Sequence, residues 1–425
     1  PATAAPAPSC PSVPARVAPR ADRSRYHLRI DVRPGENQVV GATAVRFTPD
    51  LPTDRLVYRM WANAPRTAAA GAVLEVTLVT LRGQVVNSQQ PDSTTLVVPA
   101  GALPAGQPVD ATVEWRLTLP GSVNDRLSRH GEAIRLGSFH PLLAWEPGVG
   151  WAARPATSAF AEASVAPTAD FTAEVTVPDG LDVLASGVGN GLGHWTAVNI
   201  GDFALSVGRF TMGTRVVDAP EPVQVTVGIH AGIGEAPGPY LDKLARVLAD
   251  FGRRYGAYPW PSYTLAVTPN LGGGIEYPMH VMQGPGRIGR TTSHEVGHMW
   301  FFGLVVNDQG RDPWLDEGLA TWTEARYENT LGEFVARTIP AGGRGRLGEP
   351  MTYWEPRPSI YYTSVYVQGA QSLAALGDPD LVDCALRHYV AANAYRVATP
   401  ASFLAAMGVV FANAAAVLGG FGVPA

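Results

Sequence analysis

Two histidines one helical turn apart constrain this chain more than any other feature of its sequence. His294-Glu295-Val296-Gly297-His298 is an H-E-x-x-H motif, and 18 residues separate His298 from Glu317. On a helix, residues four apart lie on the same face. Two imidazoles and a carboxylate make a zinc site whose fourth position is open to a reacting group. The spacing therefore predicts one catalytic Zn²⁺ per chain, held by His294, His298 and Glu317.

Glu295 directly follows the first ligand, where its carboxylate can take a proton from a zinc-bound water. Such a motif also occurs by chance on ordinary helices. Here the other side of the helix is apolar, and Glu317 begins a helix that can fold back antiparallel to the first. We predict the first helix from about residue 292 to 303, with Ser293 capping its start, and the second from about 315 to 331.

Glu324 lies seven residues after Glu317, two helical turns further on and on the same face. It is either a solvent-facing charge or a carboxylate that accepts the other ring N–H of a ligand histidine. We favour the second interpretation, because such a contact fixes the tautomer of the histidine and raises its basicity.

The composition is that of a globular chain. It has 425 residues, of which 46% are hydrophobic and 16% charged, enough for two or three domains with buried cores. The net charge of −5, without a basic block, argues against nucleic acid as a partner. No apolar run approaches the ~20 residues of a membrane helix, so we expect no transmembrane segment.

The first residues are rich in proline and alanine and resemble a tether left after export. We predict a flexible arm at residues 1–22, in a secreted or cell-envelope-associated protein whose signal peptide has been removed. Cys10 and Cys384 either form a disulfide in an oxidising compartment or are two unrelated thiols. Only geometry can decide between these alternatives, and lipid anchoring through Cys10 also stays open.

Strand-like alternation characterises residues 23–217 and predicts an all-β domain with packed or saddle-shaped antiparallel sheets. Residues 218–222 have the composition of a short stiff linker. Helical periodicity begins after it, so we predict a second domain at residues 218–425. His140 lies in an aromatic loop of the first domain, where it is a ligand or substrate contact or, more commonly, a packing residue.

The residues around the metal motif resemble the aminopeptidase N family of gluzincin zinc metallopeptidases. Beside residues 294–301, the resemblance rests on Trp314-Leu315-Asp316-Glu317-Gly318-Leu319-Ala320, on Gly273-Gly274-Ile275-Glu276-Tyr277 (family G-x-M-E-N) and on Tyr366-Val367-Gln368-Gly369-Ala370 (family Y-x-K-G-A). It covers about residues 23–411. It implies an α+β fold in which a saddle-like β domain precedes a thermolysin-like, mainly helical zinc domain. The large C-terminal helical domain of many relatives has no counterpart, which implies a short form with an open cleft.

The resemblance also implies roles for single residues. Glu295 would be the general base and would pass the proton to the leaving amine, while Tyr366 would stabilise the oxyanion of the tetrahedral intermediate. Glu276, in a loop with Gly273 and Gly274, would bind the free α-ammonium of a peptide substrate and so restrict cleavage to N-terminal residues.

Three features depart from the family pattern. Tyr277 and Asp316 each replace an asparagine, and His294 follows Glu276 by only 18 residues. The leading hypothesis is a zinc-dependent aminopeptidase. The alternatives are a zinc endopeptidase with an open cleft, a hydrolase of another amide or epoxide substrate, and a catalytically weak family member that acts as a binding protein. A purely structural zinc site is disfavoured, because such sites are closed by a fourth ligand.

Overall fold

The computed structural model describes residues 9–158 and 166–425, which form a β-rich N-terminal domain followed by a mainly helical domain. The predicted α+β fold class is confirmed. Buried apolar side chains form a continuous core through both domains. Among the described residues, no helix has both the length and the apolar character needed to cross a membrane.

The regular elements of the N-terminal domain are almost all strands, and its longer strands alternate between buried and exposed side chains. A short helix α1 (Pro65–Ala69) and 3-10 turns at Pro34–Glu36 and Trp61–Asn63 interrupt them. The strands are β1 (Arg25–Arg33), β2 (Gln38–Phe47), β3 (Thr53–Arg59), β4 (Val73–Leu81), β5 (Gln84–Val85), β6 (Gln89–Asp92), β7 (Thr95–Leu103), β8 (Val109–Thr118), β9 (Leu127–His130), β10 (Ala133–Leu136), β11 (Leu142–Leu143), β12 (Trp145–Glu146), β13 (Gly150–Trp151), β14 (Ala169–Thr176), β15 (Asp182–Ala185), β16 (Val188–Gly189), β17 (His194–Ile200) and β18 (Leu205–Gly208).

One large sheet, in the order β16-β17-β14-β1-β2-β8-β4-β5, forms the body of this domain. Its strands are antiparallel except for β1 and β14, which pair in parallel. Two smaller sheets, β15-β18-β10-β9 and β11-β3-β7-β6, complete the domain. The β15-β18-β10-β9 sheet carries Arg135 and Ser206, whose side chains contact Thr268 and His280 of the second domain.

The second domain opens with a mixed sheet in the order β19-β20-β21-β23-β22, so β22 is an edge strand. Helices follow this sheet. The elements are β19 (Phe210–Asp218), β20 (Pro222–His230), α2 (Pro237–Tyr255), β21 (Ser262–Val267), β22 (Gly274–Tyr277), β23 (His280–Gln283), α3 (Arg290–Gly297), β24 (Val306–Asn307), α4 (Trp314–Tyr327), α5 (Leu331–Val335), α6 (Met351–Trp354), α7 (Pro358–Tyr362), a π-helical turn (Thr363–Val367), α8 (Gln368–Ala374), α9 (Pro379–Asn393), β25 (Val397–Ala398), α10 (Pro400–Met407) and α11 (Ala414–Gly419).

The boundary between the domains lies earlier than the sequence predicts. β19 and β20 form a hairpin that runs from Phe210 opposite His230 to Asp218 opposite Pro222. Residues 218–222 are therefore a hairpin turn and not a linker, and the second domain begins near residue 210. Tight turns and stiff linkers share the same proline-rich composition, which explains the difference.

The N-terminal arm is docked along the second domain over its described part. Residues 9–22 contain no helix or strand, as expected, but the N–H of Val17 donates to the carbonyl of Ala391 at 3.0 Å. Arg396 donates to the carbonyl of Ala18 at 2.9 Å. The structure contains the disulfide Cys10–Cys384, which joins the arm to α9. The first eight residues of the predicted arm lie outside the described part of the chain.

We expect loss of this disulfide to lower the thermal stability of the protein. Cross-links that close long loops restrict the unfolded chain, and their removal costs about 2–5 kcal/mol. Cys10→Ser, Cys384→Ser and the double variant should all melt at the same reduced temperature in calorimetry. Wild-type protein treated with dithiothreitol should match them, whereas an unchanged melting temperature under reduction would contradict the prediction.

His140 is a packing residue in the β domain, the more common of the two interpretations offered by the sequence. Its side chain is fully buried, and its Nε2 lies 3.2 Å from Oδ1 of Asp202. The ring contacts Phe139 and Phe171 edge-on. His140 therefore takes no part in the metal centre.

Candidate metal centre

The first of the two metal-site helices begins earlier than predicted and is shorter. α3 starts at Arg290, so Ser293 lies within it and its hydroxyl donates to the carbonyl of Arg290 at 3.0 Å. The prediction of Ser293 as the N-cap is therefore wrong, because Gly289 occupies that position. His298 still has helical torsion angles, and its N–H donates to the carbonyl of His294 at 3.3 Å. The two histidines thus keep the one-turn spacing that the metal site needs.

Glycines at the helix crossings bring the third ligand close to the histidines. A Cβ built on Gly297 of α3 would lie 2.2 Å from the hydroxyl of Thr323 in α4. On the opposite side of α4, a Cβ on Gly369 would lie 2.5 Å from the Cα of Gly318. No side chain fits at these contacts, so α4 lies directly between α3 and α8 with Glu317 facing the histidines.

The three predicted ligands converge. Oε2 of Glu317 lies 3.1 Å from Nε2 of His294 and 3.5 Å from Nε2 of His298. A tetrahedral ion with bonds of about 2.05 Å separates its ligand atoms by about 3.3 Å. The spacing and the nitrogen and oxygen donors therefore fit Zn²⁺.

Electrostatics also favour a cation here. Buried or partly buried carboxylates surround the two imidazoles, contributed by Glu276, Glu295, Asp316, Glu317 and Glu324. Burial raises the pKa of Glu295 to about 8 and that of Glu276 to about 7. Burial alone would lower the pKa of His294, but Glu317 and Glu324 outweigh it and raise that pKa to about 10. The site thus holds protons that a divalent cation must displace.

Zinc affinity should consequently fall as the pH falls. Since the pKa of His294 is raised to about 10 and that of His298 well above its usual value, each bound ion displaces at least one proton, which weakens binding by at least about tenfold per pH unit between pH 8 and 6. Competition with a chromophoric chelator at several pH values measures this slope. Glu324→Gln removes one of the carboxylates that raise the pKa of His294, so its slope should be shallower. A wild-type affinity independent of pH in this range would refute the argument.

Two carboxylates lie behind the ligand histidines. Oε2 of Glu324 lies 3.3 Å from Nδ1 of His294, and Glu324 is 6% exposed. Oδ1 of Asp316 lies 2.6 Å from Nδ1 of His298. Each contact leaves Nε2 of its histidine free to face the metal. Glu324 thus lies beside the ring that the predicted orienting role concerns, and that role stays a prediction. The contact of Asp316 with His298 was not predicted, although the sequence marked Asp316 as a departure.

The predicted glycine loop lies against the predicted base. Gly274 begins β22, and a Cβ there would lie 2.3 Å from the carboxylate carbon of Glu295. The missing side chain therefore leaves the space that the Glu295 carboxylate occupies. The carbonyl of Gly273 accepts a hydrogen bond from the N–H of Gly284 at 2.8 Å, which holds the loop against the sheet.

Tyr366 lies beside the ligands on the other wall. Its ring stacks on that of His294 with centroids 5.7 Å apart and planes 10° from parallel. It belongs to the π-helical turn Thr363–Val367, a distortion often found at functional sites. Burial and the nearby Glu317 raise the pKa of Tyr366 well above its usual value, so its hydroxyl remains a hydrogen-bond donor.

The β domain forms part of the same cleft, which the sequence did not predict. A cavity of about 240 Å³ is lined by Asn124, Asp125, Arg126, Leu271, Gly273, Gly274, Ile275, Glu276, Glu317 and Tyr366. The buried Arg135 fixes the β-domain loop, because it donates to the carbonyl of Val123 at 2.7 Å and to that of Pro269 at 2.8 Å. Tyr277 points away from the cleft, toward Ser138, whose hydroxyl lies 2.8 Å from its own.

The fold and the three converging side chains match the arrangement of H-E-x-x-H zinc hydrolases whose third ligand is a glutamate. No protein-family model matches the chain. Probable M1 family aminopeptidase 2 of Encephalitozoon cuniculi is 41% identical over 49 residues, 12% of this chain and 6% of its own length. Leukotriene A-4 hydrolase of Xenopus laevis is 31% identical over 97 residues, which are 21% of this chain and 16% of that protein. Human aminopeptidase B is 28% identical over 128 residues, which are 28% of this chain and 20% of that protein. The chain thus matches at most 20% of the length of these three relatives.

Solved structures extend the similarity to nearly the whole chain. The M1 zinc metallopeptidase of Deinococcus radiodurans superposes with a TM-score of 0.71, at 22% identity, over 95% of both chains. A mutant of that enzyme bound to a Tyr-Ser-Ala substrate superposes with a TM-score of 0.71 at 23% identity, again over 95% of both chains. The chain has the fold of the M1 zinc metallopeptidases, and the resemblance to this gluzincin family inferred from the sequence is confirmed.

Proposed function

We propose that this chain is a zinc-dependent aminopeptidase that holds one Zn²⁺ per chain and releases N-terminal residues from peptides. The observation that carries the proposal is the position of Glu276. Its carboxylate, that of Asp316 and the ring of His298 have atoms within 4.8 Å of one another, so it lies beside the metal ligands. A buried carboxylate there has no metal-ligand role in the three-residue set and matches the α-ammonium of a substrate.

Each residue of the site has one chemical task. Bound zinc supplies Lewis acidity that polarises the scissile carbonyl and acidifies water. Glu295 accepts the proton of the attacking water and gives it to the leaving amine, and a pKa raised to about 8 suits transfer in both directions near neutral pH. The Tyr366 hydroxyl donates to the oxyanion. Glu276 accepts hydrogen bonds from the α-ammonium and so sets the distance from the chain end to the cleaved bond.

The edge strand supports a peptide as the substrate. β22 pairs with β23 on one side only, and its residues Gly274, Ile275 and Glu276 line the cleft. An extended peptide can add to such an edge through main-chain hydrogen bonds. The complex of the D. radiodurans mutant with Tyr-Ser-Ala agrees with this class of substrate.

Matched peptides test the proposal directly. Fluorogenic peptides with a free N-terminus and their N-acetylated counterparts should be compared with and without a chelator. We expect chelator-sensitive cleavage of the free peptides only. Cleavage restricted to internal bonds of blocked peptides would support the endopeptidase alternative, and no cleavage by zinc-loaded protein would support the binding-protein alternative.

We also propose that the protein works outside the cytoplasm, secreted or associated with the cell envelope. The disulfide Cys10–Cys384 supports this location, because disulfides persist in oxidising compartments. Fractionation of cells that produce the full-length protein, followed by thiol labelling, tests it. Recovery of the protein in the cytoplasm with both thiols reduced would overturn the proposal.

Tyr366→Phe should lower kcat by about 10²–10³-fold, since it removes a donor aimed at the developing negative charge. KM should change little, because the oxyanion forms only in the transition state. Steady-state kinetics on one free-amine peptide measure both constants. Tyr353→Phe is a matched control, because the Tyr353 hydroxyl donates to the carbonyl of Gly342 in an exposed contact. Equal kinetics for Tyr366→Phe and wild type would exclude the oxyanion role.

A further inference from the structure

Gln309 lies between Glu276, the proposed amine-binding carboxylate, and Asp316, which contacts the predicted zinc ligand His298. Its side chain is 3% exposed and belongs to the segment that joins β24 to α4. Its Nε2 lies 2.5 Å from Oδ2 of Asp316 and 3.4 Å from Oε1 of Glu276. The other oxygen of Asp316 contacts Nδ1 of His298 at 2.6 Å. A continuous series of polar contacts therefore joins Glu276, Gln309, Asp316 and His298.

An amide suits this position better than a charged side chain. Its nitrogen carries two N–H donors, enough for one bond to each carboxylate, and it adds no charge. A lysine would also satisfy both acceptors, but its ammonium would compete with the substrate's α-ammonium for Glu276. A glutamate would place a third negative charge between two others and remove the donors.

Ion pairs with the β domain hold the segment on both sides of Gln309. Asp308, fully buried, pairs with Arg154. Arg311 lies 2.7 Å from Asp312 and 3.3 Å from Glu146 of β12. The carboxylates of these pairs are buried and the arginines are partly exposed, so the pairs tie the segment to the β domain on both sides of Gln309. Gln309 is thereby held within reach of both carboxylates.

We propose that Gln309 is a positioning residue that orients Glu276 toward the substrate amine and, through Asp316, orients His298 toward the metal. The first half of this role rests on the proposed aminopeptidase function, whereas the second half requires only the metal site. The Gln309 side chain would thus affect both the selectivity for free N-termini and the affinity for zinc.

Gln309→Met tests both halves, since methionine keeps the approximate volume and removes the donors. We expect KM for a free-amine peptide to rise about tenfold with kcat nearly unchanged. The zinc dissociation constant, measured by chelator competition, should rise about 10- to 100-fold, the usual effect of removing an outer contact of a ligand. Gln371→Met is the control, because its amide binds only backbone carbonyls of Phe334, Val335 and Arg337.

A double variant separates the effect of Gln309 on Glu276 from its effect on His298. Gln309→Glu should impair both KM and zinc affinity. In Gln309→Glu/Asp316→Asn, the new amide at position 316 can donate to the new carboxylate at position 309 and accept from His298. Zinc affinity should then recover to within a few fold of wild type, while KM stays high because two carboxylates still face each other at Glu276.

The outcomes are distinct. Unchanged KM and unchanged zinc affinity in a folded Gln309→Met variant would overturn the proposal, as would additive losses of zinc affinity in the double variant. If the wild type hydrolyses no peptide, the proposed function fails, and the zinc measurements alone still decide whether Gln309 positions His298.

Discussion

Glu295→Gln should lower kcat by about 10²–10⁴-fold, the contribution of a well-placed general base. Glutamine has nearly the same shape but cannot accept the proton of the attacking water. Zinc affinity should change by much less, because Glu295 does not belong to the converging set of His294, His298 and Glu317. Pre-steady-state and steady-state assays on one free-amine peptide, with zinc content measured on the same samples, test this expectation.

The control for this variant is Glu132→Gln, which removes a carboxylate from an exposed ion pair with Arg209. It should retain wild-type kinetics, because exposed pairs contribute little. Wild-type activity in zinc-loaded Glu295→Gln would show that another group moves the proton. Activity absent from both the wild type and the variant would instead favour the binding-protein alternative over any peptidase.

The convergence of the three predicted ligands was foreseeable from their spacing along the chain. His294 and His298 share a helical turn, and Glu317 follows on the next long helix, so spacing alone brings them together once the helices pack. The helix boundary was less predictable. Serine is a favourable N-cap, but α3 begins three residues earlier, at Arg290, and the Ser293 hydroxyl donates within the helix instead.

The remaining parts of the site depend on contacts between segments far apart in sequence. Asn124, Asp125 and Arg126 line the cleft, and their loop is tied to residues 268–272 by Arg135 and by the Asn124 side chain. Gln309 reaches Glu276 from a segment that ion pairs join to the β domain. No periodicity or spacing encodes such contacts. The asparagine-to-aspartate departure at Asp316 was the one local signal, but the sequence did not predict its contact with His298.

Glu276→Gln should raise KM for free-amine peptides about 10- to 150-fold, because hydrogen bonds to a charged group contribute about 1.5–3 kcal/mol. N-acetylated peptides should show no comparable change in KM, or in Ki if they are not cleaved. Steady-state kinetics on matched pairs give this comparison. If Glu276→Gln changed KM or Ki equally for the free and the N-acetylated peptide, Glu276 would not recognise the amine. The exopeptidase interpretation would then lose its main support.

The pH dependence of the comparison between free and N-acetylated peptides tests directly whether Glu276 binds the substrate amine. Burial raises the pKa of Glu276 to about 7, so the carboxylate is ionised above that pH and protonated below it. The ratio of Ki for the blocked peptide, measured as a competitive inhibitor, to KM for its free counterpart cancels the titration of Glu295, which acts on both. This ratio should fall below about pH 7 as Glu276 takes a proton. It should also fall above about pH 8 as the α-amine of the substrate loses its proton.

In Glu276→Gln the fall of this ratio below about pH 7 should vanish and the fall above about pH 8 should remain, because only the substrate's amine still titrates.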